Sequence, residues 1–392
     1  MSNKSKEVVI VNAFRTPIGT YKGSLKNIKS HDLGSIVIKE VLKRSKFDKD
    51  EIDEVVMGQV LTAGTGQNPA RQAAINAGIP ISKPAHIVNQ VCGSGLRAVI
   101  SGYQSIKLGE ATNIISGGQE NMSIAPHSIF YRDEKKISED KLLDTMINDG
   151  LTDAFNNYHM GVTAENVAKK FDISRQDQDE FALISQKKTE AATLKNKFDD
   201  ELIKINQDGN ILDKDEHPRM GLELADLKKL KTVFKDNGTV TPGNSSGIND
   251  GAAALLLTTL EEAEKKSIKP LAKIVSWASV GGCAARGFER SRAITSVPRG
   301  PRQGTNTSLR GSARSSNCRW CRSQSYNRRD AARCRRPRLP RARKPCDGLA
   351  SGPSEPCLAC GQPTRHPGPP RFPVLQQACF CTGRRVAARL GL

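Results

Sequence analysis

Hydrophobic residues follow two alternating periods along the first 280 positions. Short apolar runs predict strands, and apolar residues spaced by three or four positions predict helices between them. The predicted strands are Glu7–Val11, Glu54–Val60, His86–Val91 and Asn113–Ser116, and the predicted helices are Asp32–Lys43, Ala70–Ala77 and Leu96–Leu108. Asn68 is the predicted cap of the second helix, with Pro69 in its first position. This alternation is typical of an α/β domain with a mostly parallel sheet and helices on its faces.

The pattern changes in residues 120–245, where helices are joined by long polar connections. Ser174 and Asp177 form a predicted capping box that opens a helix extending to Leu194. The later predicted elements are strand Glu201–Ile205, strand Asn249–Thr258, helix Leu260–Ser267 and strand Leu271–Trp277. The α/β pattern therefore resumes near residue 250 and stops near residue 280.

The composition changes abruptly at the same point. Residues 281–392, called the tail below, contain 22 arginines and one lysine against four acidic residues. They therefore carry all of the formal net charge of +19, and they also hold nine of the ten cysteines. Residues 1–280 are formally neutral and rich in lysine, isoleucine and asparagine. The positive charge is thus a property of the tail alone.

Cys92 is the only cysteine before residue 283, and it follows a predicted strand in the segment VNQVCGSGLR. The glycines lead into a predicted helix, whose N-terminal amides and dipole favour thiolate over thiol. They also let a carbonyl substrate approach the sulfur. A lone intracellular cysteine is more often a small buried apolar residue, but this setting favours a nucleophile.

Six segments, in order along the chain, resemble motifs of the thiolase family, and within it of the acetyl-CoA acetyltransferases. They are RTPIG from Arg15, GTGQNPAR from Gly64, NQVCGSG from Asn89, SGGQENMS from Ser116, YHMG from Tyr158 and TVTPGNSSGINDGAA from Thr239. A single glycine-rich match would be weak evidence. An ordered set across about 280 residues is specific.

The resemblance implies roles for five residues. Cys92 is the nucleophile that accepts the acyl group as a thioester. His159 and Met160 line the acyl pocket, Ser246 contacts the pantetheine arm of coenzyme A, and Arg219 lies near its adenosine end. The residues alone leave simpler alternatives open, with His159 as an ordinary histidine at a helix terminus and Arg219 as a solvated charge.

The resemblance also implies an α/β, thiolase-like fold of layered α/β halves. Residues 1–119 and 249–280 would form the N-terminal half, and residues 120–248 an inserted helical loop domain that covers coenzyme A. The reaction would join two acetyl-CoA molecules to acetoacetyl-CoA and coenzyme A, or run as the reverse thiolysis. Coenzyme A thioesters are the substrates, no cofactor or metal is expected, and the intact family forms homo-oligomers (dimers or tetramers).

The tail lacks the segments that would complete this reaction. Condensation needs a base beside the thioester carbonyl and an oxyanion hole for the enolate. The family takes them from Asn-Glu-Ala-Phe, Gly-His-Pro and Cys-x-Gly segments of its C-terminal domain. The tail has no Asn-Glu-Ala, its only histidine, His366, lacks the preceding glycine, and its Cys-Gly and Cys-x-Gly segments, at Cys360 and Cys381, lack the glycine run. We therefore expect impaired activity.

Two interpretations of the tail stay open. A shifted reading frame or fusion joint would explain the abrupt change in composition and the missing periodicity, and such a tail is expected to be disordered. A genuine basic appendage would use Arg333–Arg343 to attract phosphates nonspecifically. The inner spacing of Cys318/Cys321 and Cys357/Cys360 is that of a zinc ribbon, but the gap of 35 residues between the pairs exceeds the usual spacing.

Two function classes follow from these patterns. One is a thiolase-type acyltransferase, and the other is an inactive thiolase half with a nucleic-acid-associating tail. Salt-dependent retention on nucleic acid, compared with acyl-CoA turnover, separates them. We expect no membrane association, because no apolar window reaches ~18 residues and residues 1–12 lack the core of a signal peptide. The single cysteine before the tail fits a cytoplasmic protein.

Overall fold

The computed structural model describes residues 7–132, 141–207 and 209–279, so the predictions made for the tail lie outside the described residues. The described residues form a layered α/β structure around a seven-stranded mixed sheet. In chain order, the strands are β1 (Val8–Arg15), β2 (Gly19–Thr20), β3 (Glu54–Gly58), β4 (Ala85–Val88), β5 (Ile114–Asn121), β6 (His127–Ser128), β7 (Leu143–Asp144), β8 (Ile205–Gln207), β9 (Asn210–Leu212), β10 (Asn249–Thr259) and β11 (Ala272–Lys273).

The main sheet has the order β11-β1-β10-β5-β3-β4, with β2 beside the start of β10. β3, β4 and β5 are parallel, whereas β10 runs antiparallel to both β1 and β5, and β11 antiparallel to β1. The expectation of a mostly parallel sheet is therefore wrong. After β5 the chain makes an excursion through residues 122–248 and returns to the edge where β5 ended, with Asp250 opposite Asn121. Because it starts at that edge, β10 must run back along β5.

Helices cover both faces of this sheet, with α1 (Ser30–Arg44), α2 (Pro69–Asn76) and α7 (Leu260–Lys265) on one face and α3 (Ser94–Leu108) on the other. Three more helices, α4 (Met160–Phe171), α5 (Arg175–Leu194) and α6 (Leu224–Lys228), belong to the excursion, as does a π-helical turn at Met146–Leu151, and a 3₁₀ turn lies at Lys49–Glu51. α1 and α2 share a hydrophobic cluster with Val9 and Val55, and α3 shares another with Val8 and Val56. Successive strand residues thus point to opposite faces, as a β-strand requires. Within the described ranges, no helix is long and apolar enough to cross a membrane.

The structure confirms most predicted elements and moves several boundaries. β5 extends beyond its predicted end to Asn121, and β4 ends early, at Val88. The predicted strand Glu201–Ile205 is wrong except at its last residue, Ile205, which begins β8. The rest of the segment meets β1 only at the terminal Arg15, in an isolated bridge. The predicted strand Leu271–Trp277 pairs only over β11, since beyond it the chain passes the start of β1.

Two predicted helix starts have the expected chemistry. The Asn68 side chain accepts a hydrogen bond from the Arg71 N–H at 3.1 Å, ahead of a proline in the first helical position. Ser174 and Asp177 form the complete capping box of α5. α5 ends at Leu194, as the apolar spacing predicts.

Candidate active site

The carboxyl ends of β3, β4 and β5 lie at one edge of the sheet, and β10 starts there. Cys92 lies four residues beyond β4, and Ser246 lies three residues before β10. Two strands separate β4 from β10, a distance of roughly 14 Å at the usual strand spacing. The excursion through residues 122–248 leaves and returns at this edge. Ligands commonly bind at the carboxyl ends of parallel strands in α/β sheets, so this edge is the candidate site.

Cys92 sits on a tight turn between β4 and α3. The Asn89 side-chain oxygen accepts a hydrogen bond from the Val91 N–H at 2.9 Å. The Ser94 hydroxyl accepts from the Gln90 N–H at 2.9 Å and donates to the Val91 carbonyl at 2.5 Å. The Gly93 N–H donates to the Gln90 carbonyl at 3.1 Å. Local hydrogen bonds therefore fix the backbone on both sides of the cysteine.

Val91, immediately before Cys92, has a left-handed backbone with φ of +48°. A β-branched residue rarely adopts this conformation, which costs about 1–3 kcal/mol and persists only where surrounding contacts enforce it. The predicted strand to Val91 is therefore too long, since the chain leaves β4 at Val88 and turns sharply. The turn presents Cys92 at the surface, where the residue is exposed.

The N-terminus of α3 begins two residues after Cys92 and carries no side-chain cap and no acidic residue in its first turn. Helix N-termini have unsatisfied N–H groups and a partial positive charge. The cysteine therefore lies beside a helix end whose field favours a thiolate or a developing oxyanion. This arrangement matches the chemistry expected of a nucleophilic cysteine.

Glycines allow α3 to approach the sheet closely beneath the turn. A Cβ on Gly58, at the end of β3, would lie 2.3 Å from the Ser94 carbonyl carbon and 2.4 Å from the Gly95 nitrogen. A Cβ on Gly118, in β5, would lie 3.4 Å from the Gly95 Cα. No side chain fits at Gly58, because the neighbouring atoms belong to the backbone. Gly58 and Gly118 therefore set how closely the end of α3, and with it the Cys92 turn, approaches the sheet.

Two carboxylates lie at the same sheet edge. Asp250 accepts hydrogen bonds from the Met122 and Ser123 N–H groups, at 2.8 and 3.0 Å, and from the Ser123 hydroxyl at 2.6 Å. Burial raises the pKa of Asp250 against these hydrogen bonds. Burial also raises the pKa of Glu120, on the neighbouring strand, to about 7, and the charge of Asp250 adds to the shift. The two groups hold the chain where it leaves β3 and β5.

Glu165 of α4 anchors the segment that leads to Ser246. Its buried carboxylate accepts from the Thr239 and Val240 N–H groups, both at 2.7 Å, and from the Thr239 hydroxyl at 2.9 Å. Further along, the Asn244 amide donates to Asp179 of α5 at 3.0 Å. The loop that carries Ser246 is therefore fixed to both α4 and α5, although Ser246 itself is exposed.

We expect Glu165→Ala to lower the free energy of unfolding by about 3 kcal/mol, because it leaves the partly buried N–H of Thr239 and the buried N–H of Val240 without their acceptor. Urea unfolding followed by circular dichroism measures the change. Glu180→Ala is the matched control, since Glu180 is an exposed residue of α5, and its effect should stay within about 0.5 kcal/mol. Equal losses in the two variants would contradict an anchoring role.

His159 is the N-terminal cap of α4, where its Nδ1 accepts a hydrogen bond from the Gly161 N–H at 3.0 Å. The imidazole stacks on the Phe234 ring, with centroids 4.8 Å apart and planes 14° from parallel. Partial burial lowers the pKa of His159. Because Nδ1 accepts, the neutral ring carries its proton on Nε2. Met160 follows as the first residue of α4 and is partly buried.

The segment before Arg219 is tied to the N-terminal strands. Asp215 accepts from Arg15 in a two-point ion pair, at 2.7 and 3.0 Å. Glu216 accepts from the Thr20 N–H at 2.9 Å and from the Ser24 hydroxyl at 2.5 Å. Burial acts to raise the pKa of Glu216, but these hydrogen bonds outweigh it and lower the pKa. The contacts place this segment beside β2.

His217 connects that segment with the loop carrying Ser246. A Cβ on Gly247 would lie 2.0 Å from a carbon of the His217 ring, so the ring rests on the glycine backbone. The Asn249 amide lies 3.1 Å from His217 Nδ1. Arg219 is exposed, and its backbone N–H donates to a side chain of α5 at 3.1 Å. The Arg219 and Ser246 segments are thus neighbours, while Cys92 stands on the separate β4–α3 turn.

Sequence reasoning missed the residues that hold the site in place. One signal was present, because an asparagine side chain often accepts a hydrogen bond from the backbone two residues later, as Asn89 does from Val91. The acceptors Glu120, a partly buried residue, and Glu165, a buried one, had no signal in the sequence, because an acidic residue is usually exposed. In the described part of the chain, no group of three or more His, Cys, Asp or Glu side chains could hold a metal ion.

Comparison with known proteins agrees with this arrangement. Residues 8–261 match the family model described as thiolase, N-terminal domain. The acetyl-CoA acetyltransferase of Rhizobium meliloti (strain 1021) is 52% identical over 285 residues, which is 72% of each chain. The cytosolic acetyl-CoA acetyltransferase of Rattus norvegicus is 49% identical over 287 residues, also 72% of each chain.

A solved structure shows the same similarity. The crystal structure of the Bacillus anthracis acetyl-CoA acetyltransferase superposes with a TM-score of 0.69 and 36% sequence identity, covering 73% of each chain. Each match covers a long segment and leaves over a quarter of both chains unmatched. With its thiolase-like α/β fold, its cysteine turn and these matches, the chain belongs to the thiolase family.

Proposed function

We propose that this chain accepts an acetyl group from acetyl-CoA on Cys92. The observation that carries the proposal is the exposed Cys92 on a strained turn at the uncapped N-terminus of α3. The thiolate attacks the thioester carbonyl carbon, and the resulting oxyanion collapses. Coenzyme A leaves with the bonding electron pair and takes a proton from solvent. A thioester on Cys92 and coenzyme A are the products.

Coenzyme A would bind over the sheet edge, under residues 120–248 as a loop domain, with residues 1–119 and 249–280 as the thiolase half. In this proposal His159 and Met160 face the acyl group, Ser246 contacts the pantetheine arm, and Arg219 lies near the adenosine phosphates. The cross-links of the Arg219 and Ser246 segments support the proposal. The exposed guanidinium of Arg219 suits phosphate.

Carbon–carbon bond formation would be impaired in this chain. The second half-reaction needs a base that removes a proton beside a thioester carbonyl. In complete thiolases the base and second cysteine come from C-terminal segments that the tail does not contain. We therefore propose a chain that can load Cys92 but does not complete condensation or thiolysis.

Incubation with acetyl-CoA is expected to add an acetyl group to Cys92, while cleavage of acetoacetyl-CoA stays at background, at least ~100-fold below a complete enzyme. Peptide mass spectrometry measures the adduct, and loss of acetoacetyl-CoA absorbance measures cleavage. The Rhizobium meliloti relative, prepared in the same way, is the control. Unmodified Cys92 with label elsewhere, or robust cleavage, would overturn the proposal.

Three coarser proposals accompany this function. The tail, with its excess of arginine, would attract nucleic acid nonspecifically, and in the alternative function this association replaces catalysis. The complete family members suggest a homo-oligomer. A cytoplasmic location is proposed, which the name of the Rattus norvegicus relative, a cytosolic enzyme, supports.

A further inference from the structure

Glu120 is the last residue but one of the central strand β5, and its carboxylate is largely buried. Its two oxygens accept hydrogen bonds from the Val60 N–H at 2.8 Å and the Leu61 N–H at 3.2 Å. Both donors belong to the segment that follows β3. The carboxylate therefore fixes the path of the chain where it leaves β3.

The end of β3 and this segment touch the Cys92 turn at two points. The Val60 carbonyl accepts a hydrogen bond from the Asn89 amide at 3.4 Å. Gly58 lies against the backbone of Ser94 and Gly95, so closely that no Cβ fits. A shift of this segment would therefore reach the cysteine turn directly.

Asn89 completes the connection, because its oxygen holds the Val91 N–H at 2.9 Å. Val91 has the unfavourable left-handed backbone, which needs enforcement by its surroundings. We propose that Glu120 is a positioning residue for Cys92, acting through Val60 and Asn89 to hold the left-handed turn and keep the cysteine at the N-terminus of α3. Its relevance to acyl transfer rests on the proposed function of Cys92.

The ionisation of Glu120 gives this role a measurable signature. The charged group that faces Glu120 is Asp250 on β10, and the negative charge of Glu216 in turn raises the pKa of Asp250. From the side of β3 it meets the backbone N–H groups of Val60 and Leu61, and the nearby turn adds the titratable thiol of Cys92.

Burial raises the pKa of Glu120 from an ordinary 4.5 to about 7. Above pH 7 both oxygens accept hydrogen bonds. Below pH 7 one oxygen carries a proton, so the hydrogen bonds from the Val60 and Leu61 N–H groups weaken. The effect on global stability has the opposite sign. The native state binds this proton more tightly than the unfolded state does, so the free energy of unfolding falls as the pH rises from 4.5 to 7. Turn geometry and global stability therefore respond differently to pH.

The test is the rate at which iodoacetamide alkylates Cys92 in the full chain, followed by peptide mass spectrometry from pH 6 to 9. Glu120→Gln keeps the shape but leaves one acceptor oxygen for two N–H donors. We expect alkylation about fivefold slower above pH 7, the loss expected for one hydrogen-bonded contact. We also expect the inflection of the wild-type pH profile near 7 to disappear. A direct effect of the Glu120 charge on the thiolate would have the opposite sign, since a negative charge disfavours ionisation.

Glu54→Gln is the matched control, because Glu54 is a carboxylate on β3 at the opposite sheet edge, 2.9 Å from His86. It should alkylate at the wild-type rate. Asn89→Ala, at an exposed position, should reproduce the slower rate, and the Glu120→Gln/Asn89→Ala double variant should be no slower than Asn89→Ala. If Glu120→Gln does not fold, the alkylation rate of Asn89→Ala and the pH profile of wild-type alkylation still test the proposal.

Wild-type alkylation in Glu120→Gln or Asn89→Ala, additive effects in the double variant, or a wild-type profile with the thiol inflection alone would overturn the proposal. Alkylation does not require coenzyme A or acyl transfer. The positioning role can therefore fail while acetylation of Cys92 succeeds, and the reverse, so the two failures are distinguishable.

Discussion

Replacing Cys92 with serine is expected to lower acyl-enzyme formation from acetyl-CoA by ~10³-fold or more. A hydroxyl is a weak nucleophile unless an adjacent base activates it, whereas a helix N-terminus activates a thiol directly. Loss of a nucleophile removes a transition-state interaction and lowers the rate by several orders of magnitude. Incorporation of radiolabelled acetyl groups into acid-quenched protein measures the rate.

The matched control is Cys283→Ser, which changes the next cysteine along the chain. It should acetylate like the wild type, and thermal unfolding should be the same in all three proteins. Label that survives in Cys92→Ser at the wild-type rate would show that another group accepts the acetyl. Loss of labelling in Cys283→Ser would indicate that the nucleophile is Cys283, in the tail.

Gly58→Ala is expected to lower the free energy of unfolding by about 3 kcal/mol. The added methyl would lie 2.3 Å from the Ser94 carbonyl carbon and 2.4 Å from the Gly95 nitrogen. These atoms belong to the first turn of α3, so relief requires the whole helix end to move away from β3. Cys92 would move with the helix end. Acetylation should then slow by about tenfold, because the rate depends on how well the reacting groups are aligned.

Gly95→Ala provides the control on the other side of the same contact. A Cβ there would meet its nearest backbone atoms at 3.9 Å, an ordinary contact. Alanine is also the better helix former, so stability should match or exceed the wild type by up to about 1 kcal/mol. Urea unfolding measures both variants. Equal stability of Gly58→Ala and the wild type would show that the end of α3 moves without cost, and would contradict close packing of α3 on β3.

Local chemistry in the sequence predicted much of this fold. Asn68 before a proline and Ser174 before Asp177 predicted two helix starts, and both caps form as expected. The alternation of apolar runs and helical spacing located every strand of the main sheet except β2. Cys92 among glycines predicted the strand–turn–helix junction, because the physical requirements there are local.

Features that depend on distant partners could not be predicted. The direction of β10 depends on where the excursion after β5 returns, and no residue of β10 encodes it. The left-handed backbone of Val91 has local partners, since Asn89 and Ser94 hold its amide and carbonyl, but it contradicts the preference of valine. Glu120 has no sequence signal for its role as an acceptor, since that role depends on Val60, which lies 60 residues earlier, just after β3.

The sheet order also constrains how this chain can be made on the ribosome. β1 is the first strand to be synthesised, yet its ladder partners in the described structure are β10 and β11. Arg15 pairs with Ala253 and Val8 with Thr259, so the strand waits for most of the protein to emerge. At about 5–20 residues per second, that delay is roughly 12–50 s. During this time Val8–Val11, which are later buried, remain unpaired, so nascent chains should need chaperone protection longest at their own N-terminus.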